Sequence, residues 1–417
     1  MIVDTEYTQK NASYINKLNK IQVLELIRKS DQISRAEIVK QTKLSAPTVT
    51  RIVDNLINAG LVIMTGEGDS TGGRPPKILQ FDGTDNFVIG VDLGSTSIRV
   101  ALSDLNGTFI SEIESTTNLE GGFEEIIRQS VDLINKLILR SKKPISKILG
   151  IGMAVAGLID VVEGKVEYSP VFNWKNVHLQ EEFNKLIDIP FIFDNVSRVT
   201  ALGELYYGIG KEYKNFICVN LGYGIGAGII INGEPFYGSN GFTGELGHII
   251  VERDSEYIGK DGIRGCLEAL SSGYGIAEIA KQNIKAGKQT LLSNNNSTAH
   301  EITAEVIFNA ARHGDQLSQE IIENSFRYLG QGIDLLIKLF NPDAVVLSGG
   351  LTRNGEYYFK KVEEYTINNM FSPLKEQVKI LPSSFNEDAT LMGAFSLIIS
   401  KVLNFEIDSK ILPLVKV

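Results

Sequence analysis

Apolar residues in the first eighty positions recur at helical spacing before they recur at strand spacing. Ile15, Leu18, Ile21, Leu24 and Ile27 stand three apart, and Val23 and Leu26 broaden the stripe, which predicts a helix over residues 15–28. Ser34 with Glu37 three positions later has the form of a capping box and predicts a short helix over 35–42. After the turn Lys43-Leu44-Ser45, the residues Val49, Ile52, Val53, Leu56 and Ile57 follow i, i+3, i+4, i+7, i+8. They predict a third helix over 46–59 that stops at Gly60. The apolar runs 61–64 and 77–81 then read as two strands, and the Gly-rich stretch 66–76 between them reads as a hairpin tip.

Two helices joined by a tight turn, followed by a hairpin, make a winged helix-turn-helix over residues 1–82. The second helix of such a pair suits the major groove. The positions it leaves outward, Ser45, Pro47, Thr48, Thr50, Arg51 and Asn55, are the candidate DNA contacts, and Arg74 in the wing is a candidate groove or phosphate contact. The competing reading is a helical dimerisation module. Net charge is −9, which at first argues against nucleic acid, but its distribution is uneven. Residues 1–82 carry 11 Lys+Arg against 9 Asp+Glu and the remainder carries 30 against 41, so a mildly basic head precedes an acidic body.

Beyond residue 82 the pattern changes to short apolar runs separated by glycine turns. A strand at 87–91 leads into Asp92-Leu93-Gly94-Ser95-Thr96-Ser97 and a returning strand. The same form recurs at 216–229, where Asn220-Leu221-Gly222-Tyr223-Gly224-Ile225-Gly226 occupies the turn. Such a duplication, with helical segments such as 124–140 between strands, predicts two related α/β lobes facing a cleft, over residues 83–205 and 206–387. Each glycine turn can aim backbone N–H groups at an anion or a polar ligand.

Composition narrows the class. The chain has 43% apolar and 22% charged residues, as globular proteins do. No apolar run is long enough to span a membrane, and the first residues lack the form of a secretory signal. Cys218 and Cys266 are the two cysteines, too few for a disulfide framework, which fits a reducing cytoplasm.

The stretch Leu221-Gly222-Tyr223-Gly224-Ile225-Gly226-Ala227-Gly228-Ile229, followed by Gly238, Gly244 and Gly247-His248, resembles the ROK family of repressors and sugar kinases, in its xylose-repressor-like branch. Asp92–Arg99, Leu347-Ser348-Gly349-Gly350-Leu351 and Ala389–Ala394 are similar to further motifs of that family, so the resemblance covers nearly the whole chain. It implies a two-lobe actin-like (sugar kinase) fold behind the winged helix-turn-helix, with a C-terminal helix near 388–402 completing the first lobe. It also implies a sugar site at Gly157, Asn195, Glu245, His248 and Glu268, whose carboxylates, amide and imidazole suit the hydroxyls of a pyranose. Trp174 near that site reads as core.

Two departures from the family pattern shape the functional expectation. Family kinases place a general-base Asp just before an Ala-rich helix. Ungapped counting from Gly203-Glu204 puts Val196 there, and valine takes no proton. Asp194, offset by two positions, and Ser197, offset by one, are expected to face elsewhere. The family's zinc loop carries three cysteines, of which Gly259 and Asp261 replace two here, leaving Cys266. Metal is therefore not expected, although His248, Asp261 and Cys266 stand as a residual set, and Arg264 or Asp261 is a candidate to order the loop without it. No cofactor is expected. The expected protein is a sugar-responsive DNA-binding repressor acting as a homodimer or dimer of dimers on a palindromic operator. The alternative is a sugar kinase with a DNA-binding head. Because Val196 leaves an apolar wall where a hexose would place its terminal hydroxyl, xylose is the first effector to test.

Overall fold

The computed structural model describes residues 3–30, 32–67, 77–293 and 302–405, with side chains from residue 14 onward. The head consists of α1 (Val3–Lys29), β1 (Ile33–Ser34), α2 (Arg35–Thr42), α3 (Ala46–Asn58), β2 (Val62–Glu67) and β3 (Lys77–Phe81), with the strands ordered β1-β3-β2. The capping box forms: the Ser34 side chain accepts from the Glu37 N–H, and the Glu37 carboxylate accepts from the Ser34 N–H at 2.8 Å. Lys43 ends α2 in the left-handed conformation, and Ser45 caps α3. Most of the wing tip, Arg74 included, lies outside the described residues.

The first helix corrects one expectation. It begins at Val3, well before residue 15, and Ile15 and Leu18 are exposed. Val23, Leu24 and Ile27 from its later turns join Ile38, Val49, Ile52, Val53, Leu56 and Leu79 in the head core, with Ile21 and Leu26 half-buried against them. An i+3 ladder drifts around a helix with 3.6 residues per turn, so its early members leave the face that its later members bury.

The body opens with β4 (Phe87–Leu93), β5 (Ser97–Asp104), β6 (Phe109–Thr116), α4 (Gly122–Ser141) and β7 (Ile148–Val155). A small antiparallel sheet follows, made of β8 (Leu158–Asp160), β9 (Lys165–Ser169) and β10 (Trp174–Val177). Then come α5 (Leu179–Leu186), β11 (Phe191–Asn195) and α6 (Val196–Tyr207), the last running two residues past the lobe boundary expected at 205. The second lobe contains β12 (Phe216–Leu221), β13 (Ile225–Ile231), β14 (Glu234–Pro235), α7 (Leu267–Ser271), α8 (Gly273–Lys285), α9 (Ala304–Arg312), α10 (Gln316–Phe340), β15 (Ala344–Ser348), α11 (Glu356–Asn369) and β16 (Lys379–Pro382). The chain then returns through α12 (Ala389–Leu403).

The two main sheets repeat one plan. Their orders are β11-β7-β4-β5-β6 and β14-β13-β12-β15-β16. In each, the first strand in sequence pairs antiparallel with the next strand and parallel with a later one. Asp92 and Asn220 occupy the same place, one residue from the end of the first strand of each sheet. The mostly buried β4, β7, β12 and β15 form the floors of the lobes, and their C-terminal ends face the cleft, where ligands gather in α/β folds.

Helix α12 lies between the first sheet and α6. A Cβ at Gly152 would stand 2.0 Å from the Ala394 carbonyl oxygen, and one at Gly393 would stand 1.9 Å from that of Val199, so both contacts require glycine. The C-terminal end of α12 and the residues just after it meet the head. Val402, Leu403 and Phe405 share one apolar cluster with Val23, Leu24, Ile27 and Leu79, and the Arg28 guanidinium sits 5.8 Å above the Tyr206 ring at the end of α6. No helix among the described residues is long and apolar enough to cross a membrane.

Candidate functional site

A cavity of about 210 Å³ lies between the lobes, lined by both glycine turns and by all five expected sugar-site residues. From the first lobe, β11 ends on Asn195, which caps α6: its Oδ1 accepts from the N–H groups of Ser197 at 2.9 Å and Arg198 at 3.4 Å. Its Nδ2 donates to the Gly157 carbonyl at 2.8 Å, leaving one amide N–H for a ligand. Gly157 has φ of 139°, and a Cβ there would meet the Tyr168 carbonyl oxygen at 2.6 Å, so glycine is required at this corner.

The second lobe supplies the acids. Glu245 and His248 flank a single helical turn, with Glu245 Oε2 3.5 Å from His248 Nε2. Glu268 in the first turn of α7 accepts from the Ile225 N–H at 3.2 Å, which ties it to the glycine turn. Burial pushes the carboxyls of both glutamates above their usual range; His248 and Arg198 pull Glu245 back, and the Ile225 N–H and His248 pull Glu268 back. Asp92 is also on the cavity wall, and desolvation pushes it up to about 6 against the opposing pull of Arg99. Partly desolvated carboxylates with free lone pairs are strong acceptors for hydroxyl donors.

Val196 lines the cavity as the first residue of α6. Asp194 is buried behind it, held by Arg198 through Nε at 3.0 Å and Nη2 at 2.5 Å. The same guanidinium donates to the Gly241 carbonyl at 2.6 Å and lies 5.2 Å from the Tyr237 ring centroid. Sequence reasoning missed Arg198, because Asp194 belongs to the end of β11 and Arg198 to the first turn of α6, so no single helix face carries the pair. It also left out Asn220, Pro170 and Val171, which line the cavity too. Trp174 is buried, stacked 4.6 Å from Phe172 and edge-on to Phe123.

The loop that resembles the family's zinc site does not fit the metal. Among the described residues, no three His, Cys, Asp or Glu side chains converge as ligands. Where the family has a first cysteine, a Cβ on Gly259 would stand 2.8 Å from both Asp261 Oδ1 and Cys266 Sγ, so the space for a ligand is taken. His248 Nδ1 instead lies 2.5 Å from Asp261 Oδ2, off the line of an ideal hydrogen bond. Asp261 Oδ1 accepts from the Ile263 N–H at 3.0 Å, and Arg264 donates to the Ser255 carbonyl at 3.2 Å.

On the head, Pro47, Thr50 and Arg51 are exposed on α3 and Asn55 is half-buried. The Ser45 and Thr48 hydroxyls lie 2.8 Å apart, so the exposed cap and the third residue of α3 share one hydrogen bond. Arg51 donates to Asn16 of α1 at 3.0 Å, while Asp54 on the same helix is tied to Arg35 at 2.6 Å, which keeps that carboxylate occupied.

Comparison with known proteins agrees with both halves. Residues 18–63 match a winged helix-turn-helix DNA-binding family, and residues 88–401 match the ROK family. The chain is 32% identical to a xylose repressor of Caldicellulosiruptor bescii over 396 residues, covering 95% of this chain and 98% of that protein. It is 29% identical to the DNA-binding transcriptional dual regulator NagC of Escherichia coli, covering 94% and 95% of the two chains. A crystal structure of a ROK family transcriptional regulator, a homologue of the E. coli Mlc protein, superposes with a TM-score of 0.81 at 26% identity, covering 96% of this chain and 99% of that one. With the winged helix-turn-helix in front and the two-lobe body matched nearly end to end, the chain belongs to the ROK family.

Proposed function

We propose that this protein is a transcriptional repressor of carbohydrate-utilisation genes, released from its operator by a free monosaccharide, with xylose the first effector. The observation that carries this reading is the convergence of Asn195, Glu245, His248 and Glu268 on one cavity of about 210 Å³, behind a head whose α3 presents Thr50 and Arg51. That volume is below the range of drug-sized pockets, and its acceptor-rich lining suits the hydroxyls of a small polyol. The similarity to a xylose repressor over nearly the full length supports the same sugar. Val196 contributes an apolar wall, and a hexose hydroxyl pressed there without a partner would cost about 1–3 kcal/mol.

The protein acts by binding alone. With Val196 at the start of α6 and Asp194 bound to Arg198, no carboxylate is free at the position of a family kinase's base. Sugar closes the lobes, shifts a pre-existing equilibrium and changes the spacing of two heads in a homodimer on a palindromic operator. Calorimetry with xylose and glucose, paired with operator-release measurements, tests the reading: xylose binds more tightly and releases DNA. Equal or tighter glucose binding removes the Val196 argument, and ATP-dependent formation of a sugar phosphate by the pure protein removes the repressor-only reading.

A further inference from the structure

The loop at residues 259–265 performs work that no feature described so far explains. His248 stands on the cavity wall, yet its Nδ1 is closed off from solvent and faces Asp261 Oδ2 at 2.5 Å. The other Asp261 oxygen is held by the Ile263 N–H in the same loop, so the carboxylate cannot swing away without breaking its own turn. The neighbouring residue anchors the loop from the other side. Lys260 Nζ lies 4.2 Å from the Tyr223 ring centroid and 4.9 Å from that of Tyr274. Tyr223 belongs to the glycine turn that lines the cavity, and Tyr274 stands near the start of α8. One dipeptide therefore spans three elements around the cleft.

We propose that Asp261 and Lys260 together are a metal-free positioning device for His248, and that they set the hydrogen-bonding polarity of its ring. A metal ion on Nδ1 would force the proton onto Nε2 and make that nitrogen a donor toward the cleft. A carboxylate does the reverse. With a turn of the ring that brings the 2.5 Å contact into line, Asp261 accepts the Nδ1–H, so the Nε2 lone pair of the neutral ring faces the cavity beside Glu245 and accepts from a ligand hydroxyl. His248 and Glu245 then form two adjacent acceptors, matched to two neighbouring hydroxyls that both donate. The clamp by Tyr223 and Tyr274 fixes Lys260, and through it the loop, against the turn that closes over the ligand. Gly259 belongs to the same device, since a side chain there would displace both Asp261 Oδ1 and the Cys266 sulfur. The consequence for affinity rests on the sugar-cleft reading; the ring polarity does not.

The test uses the full-length protein and nitrogen-15 NMR of its histidine rings followed over a pH series to the neutral ring, with His248 assigned through His248→Gln. The expected result is an Nδ1-protonated ring in the wild type that shifts toward the Nε2–H form in Asp261→Asn, with no stoichiometric zinc by elemental analysis. Xylose affinity falls about tenfold in Asp261→Asn, the lower end for loss of a group that orients a site histidine. In Lys260→Met, which keeps the stem and loses the charge, it falls about threefold, as for a partly exposed cation–π contact. Chelators change neither affinity nor melting temperature. An Nε2–H ring in the wild type, or one equivalent of zinc whose removal lowers the melting temperature, overturns the proposal. If the wild type binds no sugar, the effector reading fails, while the ring spectrum and the zinc content still decide the positioning role.

Discussion

On the first-lobe side of the cleft Asp92 lines the wall itself, while Asp194, behind the ligand-facing residues, is buried and bound by two guanidinium nitrogens of Arg198. On the second-lobe wall, Glu245 and Glu268 are only partly covered, are raised by burial, and keep lone pairs toward the cavity. The same kind of side chain thus does two jobs on the two walls. Asp194 holds the start of α6 in place, while the glutamates present lone pairs to the cavity. Charge satisfaction, more than residue type, separates scaffold from site.

The largest effect should come from breaking the satisfied wall. Arg198→Ala leaves Asp194 buried and uncompensated, which costs about 3–5 kcal/mol of stability, read as a lower denaturant midpoint. Replacing both partners, Asp194→Leu with Arg198→Met, should recover most of that loss; if the double variant is as unstable as the single one, the pair is not the unit described. On the unsatisfied wall the signs invert. Glu245→Gln and Glu268→Gln should weaken xylose binding by roughly 10- to 100-fold, as loss of a charged hydrogen bond of about 1.5–3 kcal/mol predicts, yet raise the melting temperature of the ligand-free protein. A fall in melting temperature with unchanged affinity would make these glutamates structural.

A third measurement separates the cleft from the head. Arg51→Ala should cost about 1–3 kcal/mol in operator affinity and relax one base position, and Arg74→Ala should weaken binding uniformly across sequences. Sugar affinity should stay as it was in both. The smallest effect is in pH. The Asp92 carboxyl is raised from 3.8 to about 6, so the folded state holds its proton longer than the unfolded state does. Its contribution to stability is therefore lost as pH rises from about 4 to about 6 and is constant above that. The melting temperature of the wild type should drop relative to Asp92→Asn across that window, and a constant difference would place Asp92 in contact with water.

Much of this was legible because its causes are local. The Ser34–Glu37 box, the α3 face and the repeated glycine turns each depend on residues within a few positions, and the structure shows all three. The site residues were reached only through the family resemblance, because their meeting depends on two lobes closing around one cavity. What stayed hidden depended on remote partners. The Lys260 clamp needs rings 37 positions before it and 14 after it, and the exposure of Ile15 depends on where the head core ends. Asp194 is the intermediate case: its exclusion from the cleft followed from a register offset, but its partner Arg198 required the fold.

The cluster that joins Val23, Leu24 and Ile27 of α1 to Val402, Leu403 and Phe405 has a thermodynamic consequence for how the protein melts. A domain on a loose tether has its own transition temperature, but here the head and the first lobe share one set of buried contacts. They should unfold in a single calorimetric event, and residues 1–82 expressed alone should expose the apolar side of α1 and aggregate. The chain's last described helix is thus part of the support of its first, so a truncation before α12 would remove operator binding from the far end of the polypeptide.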